Sequence, residues 1–474
     1  MDRGGGQEVS ATPRAPRRAS WRGGVGAAVA ALAVAGASVV AACGTKDDGP
    51  PPLSGEALMN PETCRSCHEE HFRQWSGSMH AYAGEDPVFV AMNKRMQRET
   101  KGAAGSLCVG CHAPLAVRMG RTTDGLNLAE LPAYMRGVTC YFCHSTDAVE
   151  GTHNNPLRLA ADGALRGPFA DPAKAAPHKS AYSPLHDRES PESSALCGAC
   201  HDVVTPAGAH IERTFTEWQG SVYAGVGKLS CGKCHMDGRE GLAAPGVAGV
   251  GVRTVHDHGF PAVDIALTPF PEAEAQRRAV QAFLDNTLIA KLCVRQLPTG
   301  VVAEVTLDNA FAGHKFPSGA NQDRRAWVEL VASRGGAEVF VSGRVPDGKA
   351  AASIGDPNLW LLRDKIFDVA GKETHMFWEA ARFEAEQLPA AITNDPQAPG
   401  FVHSVTRTYP LPSPAPDRVT MRVRMRPLDF ELLDDLVASG DLDREIAARV
   451  PTFDLGSTVK EWTAASLGFT RCAE

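Results

Sequence analysis

The chain has 474 residues, 13 cysteines, 16 histidines and a formal net charge of −7. Residues 1–42 hold five arginines and two acidic residues, so the charge without them is −10. This balance argues against nucleic acid or an anionic membrane surface as a partner, and it is compatible with a basic protein partner.

Residues 1–42 have the composition of an export signal, because the basic stretch RAPRRASWR precedes the apolar stretch GGVGAAVAALAVAGASVVAA. The apolar stretch ends in VAACG, which resembles a bacterial lipoprotein signal and implies cleavage before Cys43 and a lipid anchor on that cysteine. A transmembrane anchor and an ordinary signal peptide are the alternatives. The prediction is an exported bacterial lipoprotein on the periplasmic side of a membrane, or in the outer membrane or at the cell surface. Residues 43–57 are polar and proline-rich, which predicts a flexible tether.

The pattern C-x-x-C-H occurs five times between residues 64 and 235. It is the attachment signal for c-type haem, in which two thiols bond the haem and the histidine binds the iron. A lone C-x-x-C also fits a zinc half-site, a redox dithiol or a disulfide, but none of these requires a histidine after every copy. The sequence therefore predicts five c-type haems. We number the motifs in chain order as motif 1 (Cys64, Cys67, His68), motif 2 (Cys108, Cys111, His112), motif 3 (Cys140, Cys143, His144), motif 4 (Cys197, Cys200, His201) and motif 5 (Cys231, Cys234, His235).

The chain after the tether divides into two regions joined by a helix. Residues 58–265 are predicted to form a pentahaem cytochrome c domain, in which one haem per roughly forty residues leaves too little chain for separate protein cores. Its secondary structure is expected to be sparse, short and mostly helical. The acidic start and apolar spacing of PEAEAQRRAVQAFLDNTLIAKLCV predict a connecting helix within residues 266–294.

Residues 295–474 show a strand pattern, which predicts an antiparallel β-sandwich followed by C-terminal helices. The strand candidates are VVAEVTLDNA, RAWVELVAS, AEVFVSGRV, VHSVTRTYPL and RVTMRVRMRPL. The predicted fold class is therefore α+β. Cys293 and Cys472 lie outside the motifs and are predicted to form a disulfide, with two buried free thiols as the alternative.

A haem iron has a second axial position, and what occupies it separates electron transfer from chemistry. The stretch CRSCHEEHFRQWSGSMHAYAGEDPVF resembles the opening of multihaem proteins of the cytochrome c-554 type, where C-x-x-C-H is followed by W-x-x-S-x-H. This resemblance continues through most of residues 61–330 and implies that His80 is the distal ligand of a neighbouring haem. It also implies His178 in PHKSAYS and His314 in AGHKFPSG as distal ligands. In VHDHGFPAV we prefer His258 to His256, because its context resembles the usual ligand context.

One distal position stays open at this stage. His153, His186 and His210 compete for it, or one haem keeps an open site, as in cytochrome c-554 types. His71 is expected at the surface because His68, one helical turn away, is already committed to its own iron. His375 and His403 are expected to be structural or surface residues.

Three functions were weighed. The leading one is an electron carrier that passes electrons between redox partner proteins in periplasmic or extracellular respiration, with no catalytic residues. The alternative is a haem enzyme that reduces or oxidises a small nitrogen or sulfur compound at one open-site haem. The third is an oligomer, a subunit of a cytochrome filament, which a lipid anchor would disfavour.

Overall fold

The structure, a computed structural model, describes residues 52–173 and 177–474, which belong to one compact unit. The signal peptide, Cys43 and residues 43–51 of the tether lie outside the described residues. The tether was expected to reach residue 57, but a first helix already begins at Gly55. Among the described residues, no helix is long and apolar enough to cross a membrane.

The first half of the described chain is built from short helices and two-stranded sheets, as the haem density predicted. The helices are α1 (Gly55–Met59), α2 (Pro61–Arg65), α3 (Glu69–Ser76), α4 (Met79–Tyr82), α5 (Pro87–Glu99), α6 (Val109–His112), α7 (Pro114–Arg118), α8 (Cys140–Ser145), α9 (Ser194–Gly198), α10 (Thr214–Gln219) and α11 (Cys231–His235). The strands are β1 (Thr146–Val149), β2 (Leu157–Leu159), β3 (Ala164–Gly167), β4 (Lys179–Tyr182), β5 (Val203–Val204), β6 (His210–Glu212), β7 (Gly238–Gly241) and β8 (Arg253–His256). Single 3₁₀ turns occupy Leu128–Glu130, Ala133–Met135, Pro184–His186 and Pro191–Ser193. Strands β3 and β4 pair in parallel, and the other three pairs are antiparallel.

Helix α5 connects this region to the C-terminal part of the molecule. It begins where the Asp86 side chain accepts a hydrogen bond from the Val88 amide, with proline at the first helical position. Its buried face includes Val88 and packs with Phe430 and Leu433 in one apolar cluster. The two regions therefore share a core through this helix.

The second half is a two-sheet structure, and the predicted α+β class is confirmed. It contains α12 (Ala273–Asp285), β9 (Ile289–Leu297), β10 (Gly300–Asp308), β11 (Arg325–Arg334), β12 (Ala337–Ser342), β13 (Trp360–Leu362), β14 (Asp364–Phe367), β15 (Glu373–Thr374), β16 (Arg382–Ala385), β17 (Val405–Pro410), β18 (Arg418–Arg426), α13 (Phe430–Ala438), α14 (Arg444–Ala447), β19 (Phe453–Thr463) and β20 (Cys472–Ala473). Further 3₁₀ turns lie at Ala351–Ile354 and Phe377–Glu379.

Two antiparallel sheets face each other across the main apolar core. One sheet has the order β17–β10–β9–β20, and the other has the order β12–β11–β18–β19, with β13 also paired to β11. Inward residues alternate along the strands, so Leu292 and Val305 of the first sheet share a core cluster with Val328 and Val423 of the second. A smaller sheet, β15–β14–β16, lies outside this pair.

The connecting helix is shorter than the sequence predicted. Helix α12 ends at Asp285, and residues 289–294, which were assigned to the helix, form the start of β9. In this segment Ile289 is exposed and Lys291 is partly exposed, the other four residues are buried, and the segment pairs with β10 along its whole length. Sheet pairing therefore overrides the helical tendency of this stretch.

The predicted disulfide is confirmed, since Cys293 and Cys472 are bonded. It joins the central strand β9 to the short edge strand β20, where the two cysteines are register partners. The bond thus fixes the end of the described chain to the first strand of the sandwich.

A buried ionic cluster lies where the sandwich meets α13. Arg426 Nη1 donates to Asp429 Oδ1 at 2.6 Å, and both side chains are fully buried. Nearby, His375 Nδ1 lies 3.0 Å from Asp323 Oδ1. Burial lowers the pKa of His375, but the hydrogen bond and charge of Asp323 outweigh it, so the pKa is raised above its ordinary value.

Candidate haem sites

A single large cavity of about 1540 Å³ occupies the interior of the first half of the molecule. It exceeds the roughly 300–1,000 Å³ of ordinary small-molecule pockets. All ten cysteines and all five histidines of the C-x-x-C-H motifs line it. Aromatic side chains such as Trp75 and Phe142 complete its wall. Thiols, imidazoles and apolar surface in one space have the chemistry that covalently attached haem requires.

The motif histidines are oriented by backbone carbonyls. The Nδ1 atoms of His68, His112, His144 and His235 lie 2.7, 2.9, 2.5 and 2.9 Å from the carbonyl oxygens of Ala243, Ala83, Arg166 and Pro261. A carbonyl only accepts, so each Nδ1 is the protonated nitrogen and each Nε2 keeps its lone pair for a metal. Sequence analysis missed these four carbonyls, because any residue type can supply one.

Burial keeps these imidazoles neutral. Desolvation, together with neighbouring histidines, lowers the pKa of His201 and of His235 to about 4. The same cause lowers the pKa of His80 and of His258 to about 3. A neutral imidazole is the form that binds iron, so the cavity favours the ligating state at neutral pH.

The four predicted distal histidines, His80, His178, His258 and His314, also line the cavity. His80 has its ring centre 6.2 Å from that of His201, and His178 lies 6.3 Å from His68. Each pair would hold one haem iron, with the motif histidine and the distal candidate as its two ligands. His71 lies at a similar distance from His68, with ring centres 6.1 Å apart.

Motif 3 has two histidines close to its own. His258 has its ring centre 6.3 Å from that of His144, and His186 lies at 5.5 Å. The Nε2 atom of His186 lies 2.8 Å from the Cys143 carbonyl, whereas His258 uses Nδ1 for the carbonyl of His256 at 2.9 Å. Of these two, His258 is therefore the histidine that keeps Nε2 available.

The loop around His314 carries a side chain of the sandwich into the cavity. It follows β10, and the Asn309 side chain donates to the His314 carbonyl at 2.7 Å. Gly313 has a positive φ of 75° and packs against the Tyr223 ring. The His314 imidazole lowers the pKa of His235 and of His201, so it lies within electrostatic reach of motifs 5 and 4.

The histidine of motif 2 has different surroundings. The His112 ring stacks on Phe89, with ring centres 4.1 Å apart. Within the described part of the chain, His112 has no ring contact with another histidine. Acidic groups lie on the same cavity wall, including Glu212, whose pKa burial raises to about 7, and Asp264, which accepts a 2.7 Å hydrogen bond from Arg324.

The remaining histidines fall into two groups. His153 and His210 contact each other, with ring centres 6.0 Å apart, and neither lines the cavity. His403 also lies outside it and is 2.9 Å from Asp308. The surface expectation for His71 was wrong, because this residue lines the cavity, with its ring centre 5.0 Å from that of His258. Helix α3 turns it inward beside His68.

Contacts between cysteines place the motifs next to one another. The thiols of Cys64 and Cys140 interact, which joins motif 1 to motif 3. Cys111 interacts with Cys200, joining motif 2 to motif 4. Cys231 interacts with Cys197, which joins motif 5 to motif 4 as well. These contacts link the five motifs into two groups, motifs 1 and 3 and motifs 2, 4 and 5, and Cys143 of motif 3 acts electrostatically on Cys197 of the second group.

Comparisons with known proteins agree with this geometry. Residues 63–145, which contain motifs 1 to 3, match the family described as "Cytochrome c554 and c-prime". No curated protein sequence matches the chain. The solved structure of a penta-haem cytochrome c552 from Thermochromatium tepidum is similar, with a TM-score of 0.59 and 20% identity over 86% of this chain and 99% of that chain. At this identity the likeness shows the fold.

The shared fold and the thiol- and imidazole-lined cavity support the interpretation of the chain as a c-type cytochrome with several haem sites. Its residues 63–145 resemble the cytochrome c-554 family, in agreement with the resemblance seen in the sequence.

Proposed function

We propose that this cytochrome holds five covalently bound c-type haems and carries electrons along them in periplasmic or extracellular respiration. The observation that supports this most is the lining of one cavity by all five C-x-x-C-H motifs together with seven further histidines, which include the four distal candidates. Haem supplies the one-electron chemistry, and the chain supplies attachment, axial ligands and close spacing.

The haem count has a direct test. Absorbance of the pyridine adduct, measured against protein concentration, is expected to give five haems per chain. The matched variant Cys108→Ala with Cys111→Ala, which removes the thiols of motif 2, is expected to give four. Three or fewer haems in the unaltered protein would contradict the proposal.

We assign His80 to motif 4, His178 to motif 1, His258 to motif 3 and His314 to motif 5 as distal ligands. The ring separations support the first three, and the lowering of the His235 pKa by His314 supports the fourth. Histidine on both sides of an iron closes the site to substrates, which suits electron transfer. Replacing His258 and His186 separately by alanine tests the assignment at motif 3, because His258→Ala alone is expected to change the spin state.

The second candidate function is reduction or oxidation of a small nitrogen or sulfur compound at an open haem. The surroundings of motif 2 favour it, since His112 contacts Phe89 and no second histidine ring among the described residues. Carbon monoxide added to the reduced protein is expected to bind one haem per chain, and the motif 2 double variant is expected to bind none. Equal binding in both proteins would place the open site elsewhere.

We also propose that Cys43 carries lipid and holds the protein at the periplasmic side of a membrane, or in the outer membrane or at the cell surface. The support is the VAACG sequence and its resemblance to a lipoprotein signal. Labelling of growing cells with radioactive palmitate is expected to mark the protein, and Cys43→Ala is expected to abolish the label. Persistent labelling of Cys43→Ala would reject this site.

A further inference from the structure

An apolar patch lies on the outside of the protein beside motif 5. It consists of five large apolar side chains, each from a loop rather than from the sandwich core. Their exposed fractions are 68% for Val226, 60% for Phe311, 56% for Ile392, 40% for Phe401 and 79% for Val402, and Phe311 also lines the cavity. We call this set the motif 5 patch.

Contacts among the three loops make the patch continuous. The Val222 amide donates to the Ala391 carbonyl at 2.9 Å, which joins the first loop to the third. The Tyr223 hydroxyl donates to the Ala310 carbonyl, which joins the first loop to the second. His403 and Asp308 lie 2.9 Å apart and join the second loop to the third.

The patch lies beside the two chain segments that carry motif 5 and His314. Cys234 is exposed, whereas the nine other motif cysteines are partly buried, and Cys234 also lines the cavity. The loop that carries Val226 leads into Cys231, and within it the Leu229 amide donates to the Tyr223 carbonyl at 2.8 Å. The loop that carries Phe311 also carries His314. A partner docked on this surface would therefore lie beside both segments.

The charge and area of the patch indicate what covers it. Its loops, residues 220–229, 308–315 and 391–404, contain two lysines and two aspartates, so they are electrically balanced on a chain of net charge −7. At about 150–250 Å² for a large aromatic side chain, the exposed fractions amount to on the order of 500 Å². The largest apolar patch of a typical monomer covers about 300–600 Å² and is often functional, and this patch falls in that range.

An area of this size fits a transient complex better than a permanent dimer. Two matching faces would bury on the order of 1,000 Å² in total, whereas stable interfaces bury about 1,200–2,000 Å² or more. Electron-transfer encounters lie below that range. Because the loops of the patch carry no net charge, attraction between opposite charges contributes little to the association rate with a partner.

We propose that the motif 5 patch is the docking surface for an electron-transfer protein whose own docking face is apolar and nearly uncharged. The inference rests on the proposed electron-transfer function and adds the place and chemistry of partner recognition. In the transfer, one electron leaves the partner's reduced centre and one ferric site of this protein is reduced, with no atom exchanged.

The docking surface is tested with the full haem-loaded protein. A small ferrous monohaem cytochrome, whose haem edge is surrounded by uncharged side chains, serves as the electron donor. Stopped-flow absorbance follows its oxidation by this protein. Val402→Asp and Val226→Asp are each expected to lower the second-order rate constant at least tenfold. The unaltered protein is expected to change less than twofold between 50 and 500 mM salt. Val369→Asp is the matched control, because Val369 is 86% exposed in the β14–β15 turn, outside the patch.

Each contrary outcome has one meaning. Equal rates for Val402→Asp and Val369→Asp overturn the docking surface, as does a steep fall of the rate with salt. Sedimentation of the unaltered protein as a dimer that Val402→Asp dissociates assigns the patch to a second copy and also overturns the proposal. Reduction by dithionite is expected to be equal in all variants. Its failure in the unaltered protein would refute electron transfer itself.

Discussion

Replacing His314 by alanine tests whether the sandwich completes a haem site. The variant removes an imidazole but keeps the loop, since the Asn309 side chain bonds the backbone carbonyl of residue 314 rather than the ring. With candidate distal histidines at four motifs and none at motif 2, the unaltered protein is expected to have one fifth of its iron high-spin. His314→Ala is expected to raise this fraction to two fifths.

Low-temperature electron paramagnetic resonance, integrated against total haem, measures the two fractions. Added imidazole is expected to return the variant to one fifth, because the free base can enter the site that the side chain has left. His403→Ala is the control, since His403 lies in a nearby loop but outside the cavity. An unchanged spectrum for His314→Ala, or an equal change in His403→Ala, would refute the reasoning.

Three further predictions concern the sandwich. The double variant Cys293→Ser, Cys472→Ser removes a cross-link between residues 179 positions apart. The loop-entropy model gives a loss of up to about 5 kcal/mol in the free energy of unfolding. Unfolding in guanidinium chloride measures this loss, and an unchanged free energy would contradict the prediction. Gly343→Ala is expected to lower the melting temperature of the protein more than Gly348→Ala does. Both glycines have a φ of 72°, but only at Gly343 would an added Cβ lie 2.0 Å from a backbone carbonyl oxygen. Equal melting temperatures of the two variants would contradict this prediction. His375 has a raised pKa, so its stabilisation is present below about pH 6.5 and is lost as the pH rises through its folded pKa. The melting-temperature difference between the unaltered protein and His375→Gln is therefore expected to be larger at pH 6 than at pH 8, and a constant difference would exclude this role.

The haem attachment residues were predictable because their signal is local. Two cysteines and a histidine within five residues must share one site, whatever the rest of the chain does. The sandwich strands were also predictable, since alternation along parts of β10, β11 and β18 reflects burial of one face of each strand. The candidates His80 and His314 came from resemblance rather than from spacing.

What the sequence did not reveal depends on contacts between distant segments. His71 and His153 are both lone histidines in polar surroundings, yet only His71 lines the cavity. The distinction arises from where α3 packs, which no local pattern encodes. The end of α12 was misplaced for the same reason, because residues 289–294 are drawn into β9 by pairing with β10. Likewise, the sequence did not indicate that the His112 ring packs against Phe89 rather than against a second histidine of the described residues.

The interactions between cysteines also have a consequence for the order of the sites in the proposed carrier. Motif 4 adjoins both motif 2 and motif 5, while motif 1 adjoins motif 3. In the proposed carrier, the through route runs by way of motifs 1, 3, 4 and 5, and motif 2 is a side branch. A slow reaction at motif 2 would therefore not interrupt electron transfer between motif 1 and motif 5.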